Sequence, residues 1–470
     1  MGKPIALGAL RLPARVALRA SAALVAVLIT GCATCPPACN RDCISAQLVE
    51  RGGDALGPQV CTAEIVLPSG AALEDGLTEE EAVVIALWNN AAFQELLAEL
   101  DIAYGDLVQA GLLPNPEVVY FFPVSDKPFK YAFEFPLEAL WLRPIRIAAA
   151  ERESDRVCQT LTQAALDLIR NLRQAYADVL LAESRHEIAK QAVALRAKID
   201  RHAKVRLDAG DASPQEAATA RIDALLADQE LIRAAYDVEF AQHRLRNVLG
   251  VEATVVPLVL QADEPVRAEL RDSAGLVAEA MDTRPDSLAS VEAIAAAEER
   301  LQLAEKSWFR FLGILDATSG RRTGHEFGPA FRATIPLFHM NEGMVLRAEA
   351  ELERATRQRQ TVRDRIMLEV MQAHARYAQA NAEWSVLADK VLPEVEAATG
   401  RAEAAYREGD TPYVVVLETT RQLLDSRLRA AQLEADLRRQ WAELERSVGR
   451  RLQSPRLTEE LPVTTPSNDP

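Results

Sequence analysis

The chain changes its hydrophobic periodicity near residue 136, and that change organises the rest. Tyr131, Phe133 and Phe135 alternate with Lys130, Ala132 and Glu134, the period of two of a strand with one apolar and one polar face. From about Ile145 to Asp208 neither Pro nor Gly interrupts a run of good helix formers. This predicts one helix of roughly 64 residues, about 96 Å long at 1.5 Å per residue. Gly210 stops it with a residue tolerant of positive φ. Ser213, Pro214 and Glu216 then supply an N-cap, an N1 proline and a capping carboxylate for a returning helix. On that helix Ala217, Ala224, Leu231, Val238 and Leu245 recur every seven residues, interleaved with Ala220, Ala227, Ala234, Ala241 and Val248. Alternating steps of three and four make a coiled-coil seam, and its alanines permit close approach.

The pattern occurs twice. Pro136, Leu137, Ala148, Ala150 and Glu151 recur as Pro336, Leu337, Ala348, Ala350 and Glu351. Ala209, Gly210 and Asp211 recur as Glu408, Gly409 and Asp410, and Leu249 and Gly250 as Val448 and Gly449. A period of about 200 residues exceeds any solenoid module and indicates a duplicated half-molecule. The first half spans 78–250: a helix from the capping box Thr78 to Glu81 as far as about Leu113, strands near 117–124 and 129–137, the long helix and the returning helix. The second spans 251–450 in the same order, with a helix over 266–307 interrupted at Arg284-Pro285-Asp286, strands near 309–317 and 325–337, and a long helix over 344–407. In the returning helix Leu423, Ala430, Leu437 and Leu444 form one seam and Leu417, Leu424 and Ala431 another. Two seams on one helix predict neighbours on both sides, as in a wall.

Each half offers two strands of membrane length, so a chain supplies four. Open strand edges are not tolerated in lipid, and the smallest outer-membrane barrels need about eight strands. Several chains must therefore close one barrel. The fold class expected is mostly α with a membrane β-barrel portion, built from two structural repeats.

The N-terminus places this architecture. Lys3, Arg11, Arg15 and Arg19 precede an apolar run from Ala20 to Thr30, a signal peptide over 1–31 too short for a permanent anchor. The run ends Leu28-Ile29-Thr30-Gly31-Cys32, which resembles a bacterial lipobox and makes Cys32 the lipidated N-terminus; Ala33 favours sorting to the outer membrane. An extended leader over 32–77 follows. Within it, Cys35, Cys39, Cys43 and Cys61 read first as two disulfides of open connectivity, with a thiolate metal site as the sharper alternative; Cys158 reads as a small packed side chain. Residues 451–470 carry no apolar pattern and read as a disordered tail.

Composition sharpens the exclusions. The chain is 49% hydrophobic with 5% aromatic residues, which suits long helices better than mixed α/β cores. Removing residues 1–31 takes away four positive side chains and no acids, moving the formal charge from −16 to about −20; so acidic a chain is a poor nucleic-acid binder. No nucleophile elbow, phosphate loop or HExxH pattern is present, so an enzyme is not expected. No cofactor is expected beyond the lipid. His339, Met340 and Met344, and Met367, Met371 and His374, read as core packing rather than a soft-metal path, and no metal site is assigned. The competing reading is a periplasmic coiled-coil or adaptor lipoprotein without a pore.

Several stretches together resemble the TolC family of outer-membrane efflux factors, over nearly all of Leu77 to Gly449. They are Ala110-Gly111-Leu112-Leu113-Pro114-Asn115-Pro116-Glu117, Pro136-Leu137-Glu138 leading to Arg143 and Arg146-Ile147-Ala148-Ala149-Ala150-Glu151, Arg284-Pro285-Asp286, Ile335-Pro336-Leu337-Phe338 with Asn341 and Gly343, and the glycine tips. The resemblance implies a homotrimer with a 12-stranded barrel continuous with a periplasmic α-barrel of long antiparallel helices. It implies docking of the tips, at Gly210 with Asp211 and Gly409 with Asp410, to a periplasmic adaptor and through it to an inner-membrane RND or ABC transporter. Family members often carry two acidic rings after the second tip; here Glu418 matches one and Val415 stands at the other, so the expected constriction is one carboxylate ring with a hydrophobic collar. Glu134 and Arg332, on the polar strand faces, are expected to line the barrel lumen. Two departures, Leu140-Trp141 in place of glycines and Phe309 in place of a proline, fall where strand becomes helix, and either repack that join or make Trp141 an interfacial anchor. The likeness to the cation-efflux branch and the acidic body lean toward metal-ion cargo.

Overall fold

The structure, a computed structural model, describes residues 39–58, 65–68, 76–122, 129–252, 258–262, 265–267, 270–320, 324–408 and 410–452. The segment 1–31 expected to be a signal peptide, Cys32, Cys35, Cys61, Gly409 and the residues from 453 onward lie outside the described residues. The helices are α1 (Arg41–Gly52), α2 (Glu79–Asn89), α3 (Ala91–Gly111), α4 (Glu138–Asp208), α5 (Pro214–Leu249), α6 (Ser273–Thr283), α7 (Pro285–Lys306), α8 (Glu342–Val386), α9 (Leu392–Glu408) and α10 (Tyr413–Val448), with a π-turn Leu387–Val391 joining α8 to α9. The strands are β1 (Glu117–Phe121), β2 (Lys130–Pro136), β3 (Phe311–Gly320) and β4 (Gly324–Ala333). Two compact units result, one from Ile102–Ser154 with Ala296–Glu351, the other from Cys39–Asp101, Asp155–Ala295 and the chain from Leu352 onward. No helix among the described residues is long and apolar enough to cross a membrane.

The first unit holds the strands in one antiparallel sheet of order β1-β2-β3-β4. Its register pairs Tyr131 with Ala317, Glu134 with Ile314, and Leu312 with Arg332. β1 and β4 are its edges. α4 begins at Glu138, ahead of the expected Ile145, because Pro144 sits in the second turn and removes only one amide; the carbonyl that loses its partner belongs to the exposed Leu140. Asn341 adopts φ 69°, and its side chain donates to the Ala304 carbonyl and the Ser307 hydroxyl, both at 2.8 Å, fixing the turn into α8.

In the second unit each half of the chain has its own apolar core. One gathers α1, α2, α4 and α5 around Ile44, Ile85, Leu172, Tyr176 and Leu245; the other gathers α6, α8 and α10 around Leu276, Ile366, Tyr377, Leu437 and Leu444. The two buried tyrosines play matching parts: the Tyr176 hydroxyl donates toward the Leu77 and Gln261 carbonyls at 2.8 and 2.6 Å, and that of Tyr377 to the Val266 carbonyl at 3.0 Å. The closing glycines match as well. Gly250 (φ +74°) lies against the Asn89 backbone and Gly449 (φ +89°) against Arg284. The expected helix from 78 to 113 is two helices, because Asn90 breaks it, capping α3 through Phe93 N–H at 2.9 Å and donating to the Val248 carbonyl at 2.8 Å.

Between those cores runs a polar seam. From α4 to α10, Asp178 pairs with Arg439, Arg170 with Glu443 at 2.9 Å, Arg173 with Glu445, and Asp167 with Arg446 at 2.6 Å. Arg284, fully buried, joins Asp286 at 2.9 Å and Glu369 at 2.5 Å, and donates to the Ser447 carbonyl at 3.0 Å. Burial opposes it, but Arg284 and Arg446 together hold the Glu369 carboxyl below its ordinary range.

The leader corrects two expectations. Part of 32–77 is not extended: Asn40 caps α1 through Cys43 N–H, and α1 buries Ile44 and Leu48. Among the described residues a disulfide joins Cys39 to Cys158 on α4, Cα to Cα 6.0 Å, so Cys39 does not pair with another leader cysteine and Cys158 is not merely a small packed side chain, while Cys43 is a free, half-buried thiol. Sequence proximity misled here because α1 packs on α4, bringing together residues 119 apart.

Candidate channel lining and helix tips

The sheet separates charge from grease as its alternation predicts. Glu134 on β2 and Arg332 on β4 flank β3 and meet across it, the guanidinium donating two bonds of 3.0 and 3.1 Å to the two carboxylate oxygens, the strong fork geometry of such pairs. Lys130 and Asp316 make a second pair on that face at 2.7 Å. The two residues expected to line a lumen are thus one neutral pair. The opposite face carries Val118, Tyr120, Phe133, Leu315 and Phe331, all exposed, Phe331 at 71%.

In the other unit, the tip of the first hairpin is shaped by Gly210 at φ +82°, with Asp211 N–H donating back to the Arg206 carbonyl at 2.8 Å. Asp410 N–H closes the second in the same way on the Ala405 carbonyl at 3.0 Å. Asp211 and Asp410 are both exposed. A small core of Ile199, Ala203, Ala220, Ala402 and Val416 holds the four helix ends together. Because Val416 and Thr420 turn inward at 2% exposure, Val415 and Glu418 lie on the outer face of the first turns of α10. Glu418 is exposed and accepts from Gln422 at 3.3 Å.

Arg206 and Tyr406 were not singled out from sequence. The Arg206 guanidinium reaches the Tyr406 hydroxyl at 3.1 Å and stacks 5.3 Å above that ring, while also pairing with Glu216 at 3.4 Å and the Asp211 carbonyl at 3.1 Å. The Tyr406 hydroxyl foremost, then the nearby acids, raise its pKa further above neutrality. One side chain thereby ties the end of α4 to that of α9. The only trace in sequence is an Arg and a Tyr in the last turn of two long helices.

Met340, Met344, Met367 and Met371 are exposed on the single chain, so the expected core packing is not within one copy. Met367 and Met371, one turn apart on α8, lie on the side turned away from its own core, and Met344 is exposed in its first turn. α5 has a similar stripe of exposed Ile222, Leu225, Ile232, Tyr236 and Phe240. Among the described residues no group of three or more His, Cys, Asp or Glu is placed to hold a metal ion.

The chain matches the family described as "Outer membrane efflux protein" over residues 130–251 and 276–450. The cobalt-zinc-cadmium resistance protein CzcC of Cupriavidus metallidurans is 25% identical over 363 residues, covering 75% of this chain and 85% of that one. The solved structure of the outer-membrane channel OprN superposes with a TM-score of 0.69 at 19% identity, over 89% of this chain and 99% of OprN. That of CusC, described in terms of folding and transmembrane channel formation, gives 0.68 at 15%, over 84% and 98%. These structural likenesses establish the fold, and the sequence match establishes the lineage: the chain belongs to the outer membrane efflux protein family.

Proposed function

We propose that three copies of this chain close a 12-stranded barrel above a helical tunnel and act as a passive export duct of a tripartite pump. The observation that carries the reading is the four-stranded sheet itself, with one exposed apolar face and two unpaired edges, β1 and β4. Bare strand edges are not tolerated in hydrocarbon, whereas β4 of one copy against β1 of the next satisfies both. The exposed stripes on α5 and α8 favour the same trimer, since a neighbour's helices would cover them. On this reading the chain is a duplicated half-molecule, supported by the matching tyrosines and closing glycines.

Cys32 carries the lipid that anchors the leader to the outer membrane. The tips, at Gly210 with the exposed Asp211 and at Gly409 with the exposed Asp410, meet a periplasmic adaptor, which links them to an inner-membrane transporter of the RND or ABC type. Val415 and Glu418, exposed side by side, form the collar and carboxylate ring of the constriction, where three like charges in a narrow passage attract cations and repel one another. Glu134 and Arg332 line the lumen as a fixed pair. Divalent metal cations are the proposed cargo, in keeping with the acidic chain and with a relative named for cobalt, zinc and cadmium resistance. The test is reconstitution in planar bilayers: discrete cation-selective conductance whose selectivity falls in Glu418→Gln is expected. Correctly assembled trimers that conduct nothing, even with the tips loosened by Arg206→Ala, would count against a duct.

A further inference from the structure

The leader, α2, α4 and the end of α10 meet at one junction in the helical unit. The Arg451 amide donates to the Arg51 carbonyl at 2.8 Å, and the Arg51 guanidinium to the Gly449 carbonyl at 3.2 Å. Just past α1, Asp54 is buried, as are Arg173 and Glu445, at 6%, 7% and 6% exposure. Around Asp54 stand Glu80 from the first turn of α2, Arg173 from α4, Glu445 from α10 and Arg451 just after α10. The cations there are already committed. Arg173 pairs with Glu79 at 3.0 Å and with Glu445, and Arg451 with Glu80 at 3.1 Å. Arg438, which acts on Glu79 from α10, pairs with Glu434 at 3.4 Å. The Asp54 side chain has no hydrogen bond and no ion pair among the described residues. Three carboxylates, Asp54, Glu79 and Glu445, thus share one guanidinium, while Arg451 is drawn to Glu80 at the rim.

A carboxyl in that position is easier to keep neutral than charged, because burial strips its water and like charges repel it. Burial foremost, with Glu80 and Glu445 adding to it against Arg451 and Arg173, pushes the Asp54 carboxyl above its ordinary range. Burial pushes Glu79 the same way. When the leader opens, Asp54 returns to water and to its ordinary value. The closed state then holds a proton that the open state releases. Opening therefore grows by up to about tenfold per pH unit from the open-state pKa to the raised closed-state one, and levels off above it.

We infer that Asp54 is the proton-binding site of a latch: the leader is held at the joint between the two halves while this carboxyl is neutral, and opens more often once it ionises. The Cys39–Cys158 bond fixes the start of α1 covalently; Asp54 governs its far end, and with it the contact between Arg51 and Arg451. The latch needs neither pore nor pump.

The experiment is hydrogen exchange of the full-length protein in detergent between about pH 4.5 and 8, corrected for intrinsic amide chemistry. It follows the Gly53, Leu56 and Arg451 amides, which donate to the Val49 carbonyl, the Ser45 hydroxyl and the Arg51 carbonyl. Their protection should fall at least about threefold across that range, with no such fall in the α8 core around Ile366. Asp54→Asn keeps the shape and removes the titration, so its protection should stay near the wild-type acid level at every pH. Glu80→Gln removes a repelling charge and frees Arg451, and should move the fall to lower pH. Wild-type protection that ignores pH overturns the latch, as does a fall that survives in Asp54→Asn or keeps its midpoint in Glu80→Gln. So does protection lost at every pH in Asp54→Asn with the α8 core intact, because Asp54 then acts as a charged partner. If Asp54→Asn disrupts the α8 core as well, the wild-type fall and its displacement in Glu80→Gln decide.

Discussion

Replacing both Cys39 and Cys158 with Ala tests how the leader is held. The bond closes a loop of 119 residues, and the chain-entropy relation gives about 5 kcal/mol of stabilisation for a loop of that size, as an upper value. Without it, the leader near α4 is held by burial of Ile44 and Leu48, each contributing about 1.5–3 kcal/mol, and by the Thr162 bond to Gln47 at 3.1 Å. The leader should therefore stay docked in the double variant but open far more often. Hydrogen exchange of α1 amides reads this directly: protection should fall by about two to three orders of magnitude, about 3–4 kcal/mol, since observed gains run below the entropic figure. In the folded wild type, iodoacetamide should label Cys43 and spare Cys39 and Cys158, each 2% exposed. Unchanged α1 protection in the double variant, or non-reducing peptide maps that join Cys39 to Cys43 or Cys61, would refute the reasoning.

Three further outcomes are expected. Gly250→Ala should lower the stability of the fold by more than about 2 kcal/mol, because positive φ alone costs about 1–2 kcal/mol and the new Cβ would lie 2.2 Å from the Asn89 carbonyl oxygen; Gly449→Ala, with its nearest contact at 3.3 Å, should stay near the strain cost, and equal losses in thermal melts would contradict this. Arg332→Gln should leave the Glu134 carboxylate uncompensated and make the pore more cation-selective, with Glu134→Gln acting oppositely and the double change restoring wild-type reversal potentials. The Glu369 carboxyl, held below its ordinary 4.5 by Arg284 and Arg446 against the cost of burial, contributes stability that is present above that value and lost as pH falls through the lower folded value; Asp54 and Glu79, pushed up by burial, act in the opposite sense. Glu369→Gln should thus flatten the acid-side fall in melting temperature below about pH 5, and an unaltered pH profile would count against the pairing of Glu369 with Arg284 and Arg446.

Periodicity alone determined a great deal. The two-residue alternation of β2 and β4, the long glycine-free and proline-free run 145–208 within α4, and the capped turn at Ser213 to Glu216 follow from local backbone preference and from which face of each element must be dry. Those are short-range effects, so one sequence carries them. Tertiary structure decided what depends on elements distant in the chain. The partner of Cys39 is on α4 because α1 packs there. Glu134 and Arg332, 198 residues apart, are a pair because β3 lies between their strands. Arg206 meets Tyr406 because a small core gathers four helix ends. The charged seam between α4 and α10 was equally invisible, since an Arg on a long helix looks the same facing water as facing a carboxylate. Its environment is a long-range property, set only when the helices pack.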